Sequence, residues 1–63
     1  MQKEPRLLRL QDVMEITSLS KSTIYRKEKS GKFPKRLNCG GNMIRWNSFD
    51  ISKWIESLLP VGA

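Results

Sequence analysis

After Phe33-Pro34 the hydrophobic period of this 63-residue chain changes from helical to two, and the change pivots on Gly40-Gly41-Asn42. On one side of the pivot Leu37 and Cys39 alternate with Arg36 and Asn38; on the other, Ile44 and Trp46 alternate with Met43 and Arg45. Gly and Asn tolerate positive φ, so the tripeptide has the chemistry of a hairpin turn. A two-stranded ribbon of this size is not stable alone in water. Leu37, Ile44 and Trp46 must therefore pack on helices supplied by the rest of the chain. The expectation is a mostly α domain that carries one small two-stranded β-hairpin.

Three helical patterns surround the hairpin. The first runs from about Leu10 to Thr17, with Leu10, Val13, Met14 and either Ile16 or Thr17 inward, and Asp12 and Glu15 outward. Ser18 occupies the place where the chain turns, and Leu19 follows as an apolar plug. The second pattern is better punctuated. Ser20 is a good N-cap, because its hydroxyl can accept from an amide two or three positions on. Gly31 suits the left-handed end of the same helix. Ile24 points toward the core with Ser20, Lys27 and Glu28 at its flanks, and Thr23 reads as helix packing. Ser22, Tyr25, Arg26 and Lys29 fall together on the opposite face. The third helix starts at Asn47 or Ser48 with Asn47 as cap and Asp50 in the favourable first turn. Ile51, Trp54, Ile55, Leu58 and Leu59 then form a wide apolar stripe that Phe49 joins, until Pro60 ends the helix. The organisation is one domain over residues 7–59, between a flexible N-terminal tail (1–6) and a C-terminal tail (60–63).

Charge gives the next constraint. Twelve Lys or Arg stand against six Asp or Glu, a net charge of +6, and the chain has no His and a single Cys. Residues 1–20 and 37–63 are each neutral. Between them, Lys21, Arg26, Lys27, Lys29, Lys32, Lys35 and Arg36 face only Glu28, so the whole excess lies in one continuous segment. Such a run is either a solvated face or a surface for a polyanion. Without His, and with Cys39 alone, neither a zinc site nor a disulfide framework can be built, and no Ser-His or Cys-His nucleophile pair exists. Asp12, Glu15, Asp50 and Glu56 are spread over two helices and suggest surface roles only. An enzyme, a cofactor, a metal and a small-molecule substrate are therefore not expected. No apolar run approaches the roughly 18 to 20 residues that span a bilayer, and the N-terminus lacks a signal-peptide core. A cytoplasmic, nucleoid-associated binding module with no membrane partner fits these exclusions.

A short helix, a tight turn, a basic hydroxyl-rich helix and a glycine-tipped hairpin make the layout of a winged helix-turn-helix. Four fragments stand in order on this layout: Leu19-Ser-Lys-Ser-Thr-Ile-Tyr-Arg26, Gly31-Lys-Phe-Pro-Lys35, Ile44-Arg-Trp46 and Trp54-Ile55. Through them, from about Leu7 to Leu59, the sequence resembles the AlpA-like prophage regulators, which are close to phage excisionases and related to the DNA-binding domains of MerR-type regulators. Two positions depart from the family's pattern. Ser18 stands where Gly is common before the Leu-Ser pair, which implies strain at the corner. Arg36 stands where a second Pro is common. The resemblance implies a transcription regulator or an excisionase that bends DNA, with partners that include an integrase or neighbouring copies of the chain on DNA. Residues do not separate activator, repressor and excisionase.

Under that reading the second helix, about residues 20–30, enters the major groove of double-stranded DNA with Ser22, Tyr25, Arg26 and Lys29. Arg26 forks onto guanine O6 and N7 or else onto a phosphate. Tyr25 meets a phosphate or a thymine methyl, or lies half-buried against the wing. Ser22 suits a phosphate near the helix N-terminus. Lys21, Lys29, Lys32, Lys35 and Arg36, with Lys27, neutralise phosphates. About six such contacts would cost roughly a thousandfold in affinity between about 50 and 200 mM salt. The wing, about residues 36–46, runs along the backbone or minor groove with Asn38 or Asn42 as donors. Arg45 reaches a phosphate or pairs with Asp50 or Glu56. Phe33, Trp46 and Trp54 are core, and Cys39 is a small buried apolar residue. Two rivals use the same charge. An RNA-binding module would need a sheet bearing exposed aromatics, which is not seen. A protein-interaction module would occupy an acidic partner without reading bases.

Overall fold

The computed structural model describes residues 4–62, so Met1 to Lys3 and Ala63, the outer parts of the two expected tails, lie outside the described residues. The chain runs β1 (Leu7–Leu8), α1 (Leu10–Thr17), α2 (Lys21–Lys29), β2 (Leu37–Asn38), β3 (Ile44–Asn47) and α3 (Ser48–Glu56). Three helices and a small antiparallel sheet surround one core made of Leu8, Val13, Ile24, Phe33, Trp46 and Ile51.

The hairpin forms where the period-two pattern places it, with Leu37 opposite Arg45 and Asn38 opposite Ile44. Gly40 and Gly41 take φ values of 112° and 56°, which is why the turn needs them. The sheet, however, has three strands in the order β1-β3-β2. Leu7 and Leu8 pair with Asn47 and Trp46 on the other side of β3. Arg6, assigned to the tail by sequence, exchanges two bonds with Ser48: its N–H donates to Ser48 Oγ at 2.7 Å, and Ser48 N–H donates to its carbonyl at 2.8 Å. This third strand places Leu8 in the core and gives the ribbon the support that two strands lack.

α1 occupies the expected residues. Its first turn is held by the Arg9 N–H, which donates to the Asp12 carboxylate at 3.0 Å. Thr17, not Ile16, takes the fourth inward position; Ile16 is exposed. The helix ends at Ser18 with φ 59° and ψ 23°, the left-handed region that resists a side chain. Ser18 alone among the described non-glycine residues has positive φ, so the corner carries the strain that the missing Gly implied.

α2 is capped as predicted: Ser20 Oγ accepts the Thr23 N–H at 3.3 Å. At its other end the Gly31 N–H donates to Glu28 O at 3.1 Å and the Lys32 N–H to Lys27 O at 2.8 Å, with Gly31 at φ 79°. These two bonds define a Schellman motif, which satisfies the last carbonyls and reverses the chain.

Three expectations give way. α3 stops at Glu56 with Ser57 as its C-cap, short of Pro60, which leaves Leu58 and Leu59 exposed beyond it; Phe49 and Ile55 within it are exposed as well, and only Ile51 of the stripe is fully buried. Leu37 is 39% exposed, because β2 is an edge strand of two residues and the side chain only lines an open groove beside Asp50, Lys53 and Trp54 of α3. Cys39 is exposed beyond the end of β2, not buried.

Candidate nucleic-acid interface

The surface of α2 follows from its single fully buried side chain, Ile24. Thr23, Tyr25, Lys27 and Glu28 are half-buried at its flanks, while Lys21, Ser22, Arg26 and Lys29 face solvent. One flank is organised by hydroxyls. Ser20 Oγ donates to Thr23 Oγ1 at 2.9 Å, and Arg26 Nη2 donates to the same Thr23 oxygen at 3.4 Å. Thr23 therefore packs and also orients Arg26. Its place one turn before Arg26 was the signal in the sequence.

The other flank faces the approach to the wing. There Lys21, Tyr25, Glu28 and Lys29 line a groove whose far wall is Lys35 and Arg36. The Arg36 guanidinium carbon lies 4.9 Å from the Tyr25 ring centroid, and Lys21 Nζ lies 6.0 Å from it. Both fall within the reach of a cation–π contact. Tyr25 is thus half-buried beside the wing root, and the rest of its ring still lines the groove. Arg36 has the backbone N–H that a Pro would lack, and that N–H donates to Glu28 Oε2 at 2.7 Å.

The segment that carries Lys32, Lys35 and Arg36 is fixed at several points. Trp54 Nε1 donates to Lys32 O at 2.8 Å, and Trp46 Nε1 donates to Pro34 O at 3.1 Å. Phe33, between those two carbonyls, is buried and meets the Trp54 ring edge-on at 4.8 Å. Lys32 and Lys35 are exposed, so their ammonium groups project from a backbone that is held from beneath.

The wing is less uniform. Asn38 Oδ1 accepts the Gly40 N–H at 2.9 Å, so this side chain builds the turn. Asn42 is exposed at the tip. Arg45 is half-buried, and its Nη1 donates to the carbonyl of its own neighbour Ile44 at 2.7 Å, not to Asp50 or Glu56. The structure therefore gathers Lys21, Tyr25, Lys29, Lys35 and Arg36 in one groove, with Ser22 and Arg26 on the adjoining face of α2. Lys32 flanks them on the tethered segment, while Asn38 and Arg45 are engaged within the wing. Among the described residues no cluster of His, Cys, Asp or Glu could hold a metal ion, and no helix is long and apolar enough to cross a membrane.

Two helices joined at a tight corner, the second cationic and flanked by a glycine-tipped hairpin, define a winged helix-turn-helix-like fold. The chain belongs to the AlpA family of prophage regulatory proteins: residues 6–59 match the family model described as prophage CP4-57 regulatory protein (AlpA). It is also 35% identical over 52 residues to the uncharacterized protein ORF88 of Enterobacteria phage P4. That match covers 82% of this chain and 59% of the phage protein's length. The family description is that of a prophage regulatory protein.

Proposed function

We propose that this chain is a non-catalytic transcriptional regulator that binds double-stranded DNA sequence-specifically in the cytoplasm, at the nucleoid. α2 lies in the major groove, where Arg26 reads a base edge and Ser22 and Tyr25 contact backbone or base. Lys21, Lys29, Lys32, Lys35 and Arg36 neutralise phosphates, and the wing follows the backbone or the minor groove with Asn42 at its tip. One observation carries the proposal: six of the seven cations of the basic segment, all but the half-buried Lys27, sit on the open side of a helix or on a backbone tethered beside it. A solvated charge run needs no such fixation. Asn38 and Arg45 enter only if they leave their internal bonds. Footprinting on the DNA upstream of its own gene, repeated at increasing salt, tests this. A defined protected site supports it, and equal binding to any duplex or to an acidic protein refutes it.

A second reading, an excisionase that bends DNA beside an integrase or neighbouring copies of itself, is favoured by one observation. Ile55, Leu58 and Leu59 remain exposed at the end of the chain, where another protein could cover them. Circularly permuted DNA fragments separate the two readings, since a bending protein shifts mobility with site position.

A further inference from the structure

The basic segment contains one carboxylate, and electrostatics alone gives no reason for it. Glu28 cancels one of seven cations and would repel phosphate at the edge of the groove. Its geometry supplies a reason. The Glu28 side chain is only 13% exposed, on the flank of α2 that faces the wing root. Oε2 accepts the Arg36 N–H at 2.7 Å, and Oε1 lies 3.6 Å from Arg36 Nε. Tyr25, one turn earlier on α2, closes on the same guanidinium at 4.9 Å. Arg36 directly precedes β2, so these contacts join α2 to the first residue of the wing. With Pro34 O already held by Trp46, the Glu28 bond is the last fixed point before the edge strand.

We propose that Glu28 is a positioning residue: by holding the Arg36 backbone and guanidinium it sets the spacing between α2 and the wing, and so converts a cationic surface into a selective one. The inference rests on the DNA-binding reading above. It implies that Glu28 lowers affinity for duplexes in general while raising preference for the correct site, since base contacts demand register and phosphate contacts do not.

An isosteric pair of variants isolates the effect. Glu28→Gln and Glu28→Met raise the net charge by the same unit and keep the half-buried stem. Only Gln keeps an oxygen that can accept the Arg36 N–H. Affinities for the footprinted site and for a random duplex are measured at fixed salt, and Arg36 amide protection is followed by NMR without DNA. Both variants should bind random duplex as well as, or better than, the parent. Glu28→Met should lower the specific-to-random ratio about tenfold, the weight of one charge-assisted hydrogen bond, and lose protection at Arg36. Glu28→Gln should keep both within about threefold. Equal ratios and equal protection in the two variants would overturn the positioning role and leave Glu28 a matter of charge. A parent protein that fails to discriminate between duplexes would refute the DNA-binding reading, whereas the amide measurement would still decide whether Glu28 holds the wing.

Discussion

Ile24→Ala is the sharpest probe of how α2 is held. Ile24 is fully buried, and it is the one residue of α2 that is. Truncation to Ala removes three carbon groups, or about 2.4 kcal/mol of transfer free energy at ~0.8 each. The cavity left behind raises this toward about 4 kcal/mol. A domain of this length has a total stability of only about 3 to 9 kcal/mol. Each kcal/mol shifts the melting temperature of so small a domain by roughly 4 to 8 °C. The expected loss is therefore about 10 to 30 °C. Ile24→Val should cost about 1 kcal/mol and stay folded at room temperature. Thermal melts followed by circular dichroism, with a DNA titration well below each midpoint, supply both numbers. Ile24→Val should bind as the parent does, because Ile24 faces the core. An Ile24→Ala midpoint within about 4 °C of the parent would show that α2 is held elsewhere and would refute the reasoning.

Other outcomes follow from the same geometry. Arg26→Ala should weaken the specific complex by about 1 to 3 kcal/mol and flatten base preference at one position; equal losses on specific and random duplexes would assign Arg26 to the backbone. Replacing both Lys32 and Lys35 by Gln should weaken all duplexes alike and reduce the salt slope by up to about two, and an unchanged slope would remove them from the interface. Ser18→Gly should stabilise the fold by about 0.5 to 1 kcal/mol, seen as a melting midpoint several degrees higher, because φ 59° favours a residue without Cβ. A lower midpoint would mean that the hydroxyl outweighs the strain.

What could be read from the sequence was what local chemistry dictates. α1, the Ser20 cap, the Gly31 turn and the Gly40-Gly41 reversal all depend on residues within a few positions of one another, and each forms as expected. β1 was invisible because Leu7 and Leu8 are too few to show a period. They become a strand only through β3, about forty residues away along the chain. The apolar stripe overshot α3 because Leu58 and Leu59 continue the spacing, whereas Ser57 ends the helix with its N–H shared among the last carbonyls. Alternation likewise assigned Cys39 an inward side without reporting that its edge of the sheet lies uncovered. On α2, the exposure of Ser22, Arg26 and Lys29 followed from helix geometry. The Tyr25–Arg36–Glu28 contacts did not, since they require knowing where the chain returns after Pro34. Arg45, expected on a phosphate, Asp50 or Glu56, and Asn38, expected as a donor, bond within the wing instead, because a strand pattern does not reveal bonds to its own backbone.

The two indole tethers also impose an order in time. Pro34 O waits for Trp46, and Lys32 O waits for Trp54, twenty-two positions further along the chain. During synthesis the helix-turn-helix is therefore made before the parts that fix its basic flank. Lys53 is the last cation in the sequence, directly before Trp54. A nascent or truncated chain ending there would hold every positive charge of the protein without the Trp54 clamp. Such a fragment would present its cations on a backbone that one of the two indoles no longer holds. The basic flank of this molecule becomes fixed only with the arrival of its second tryptophan.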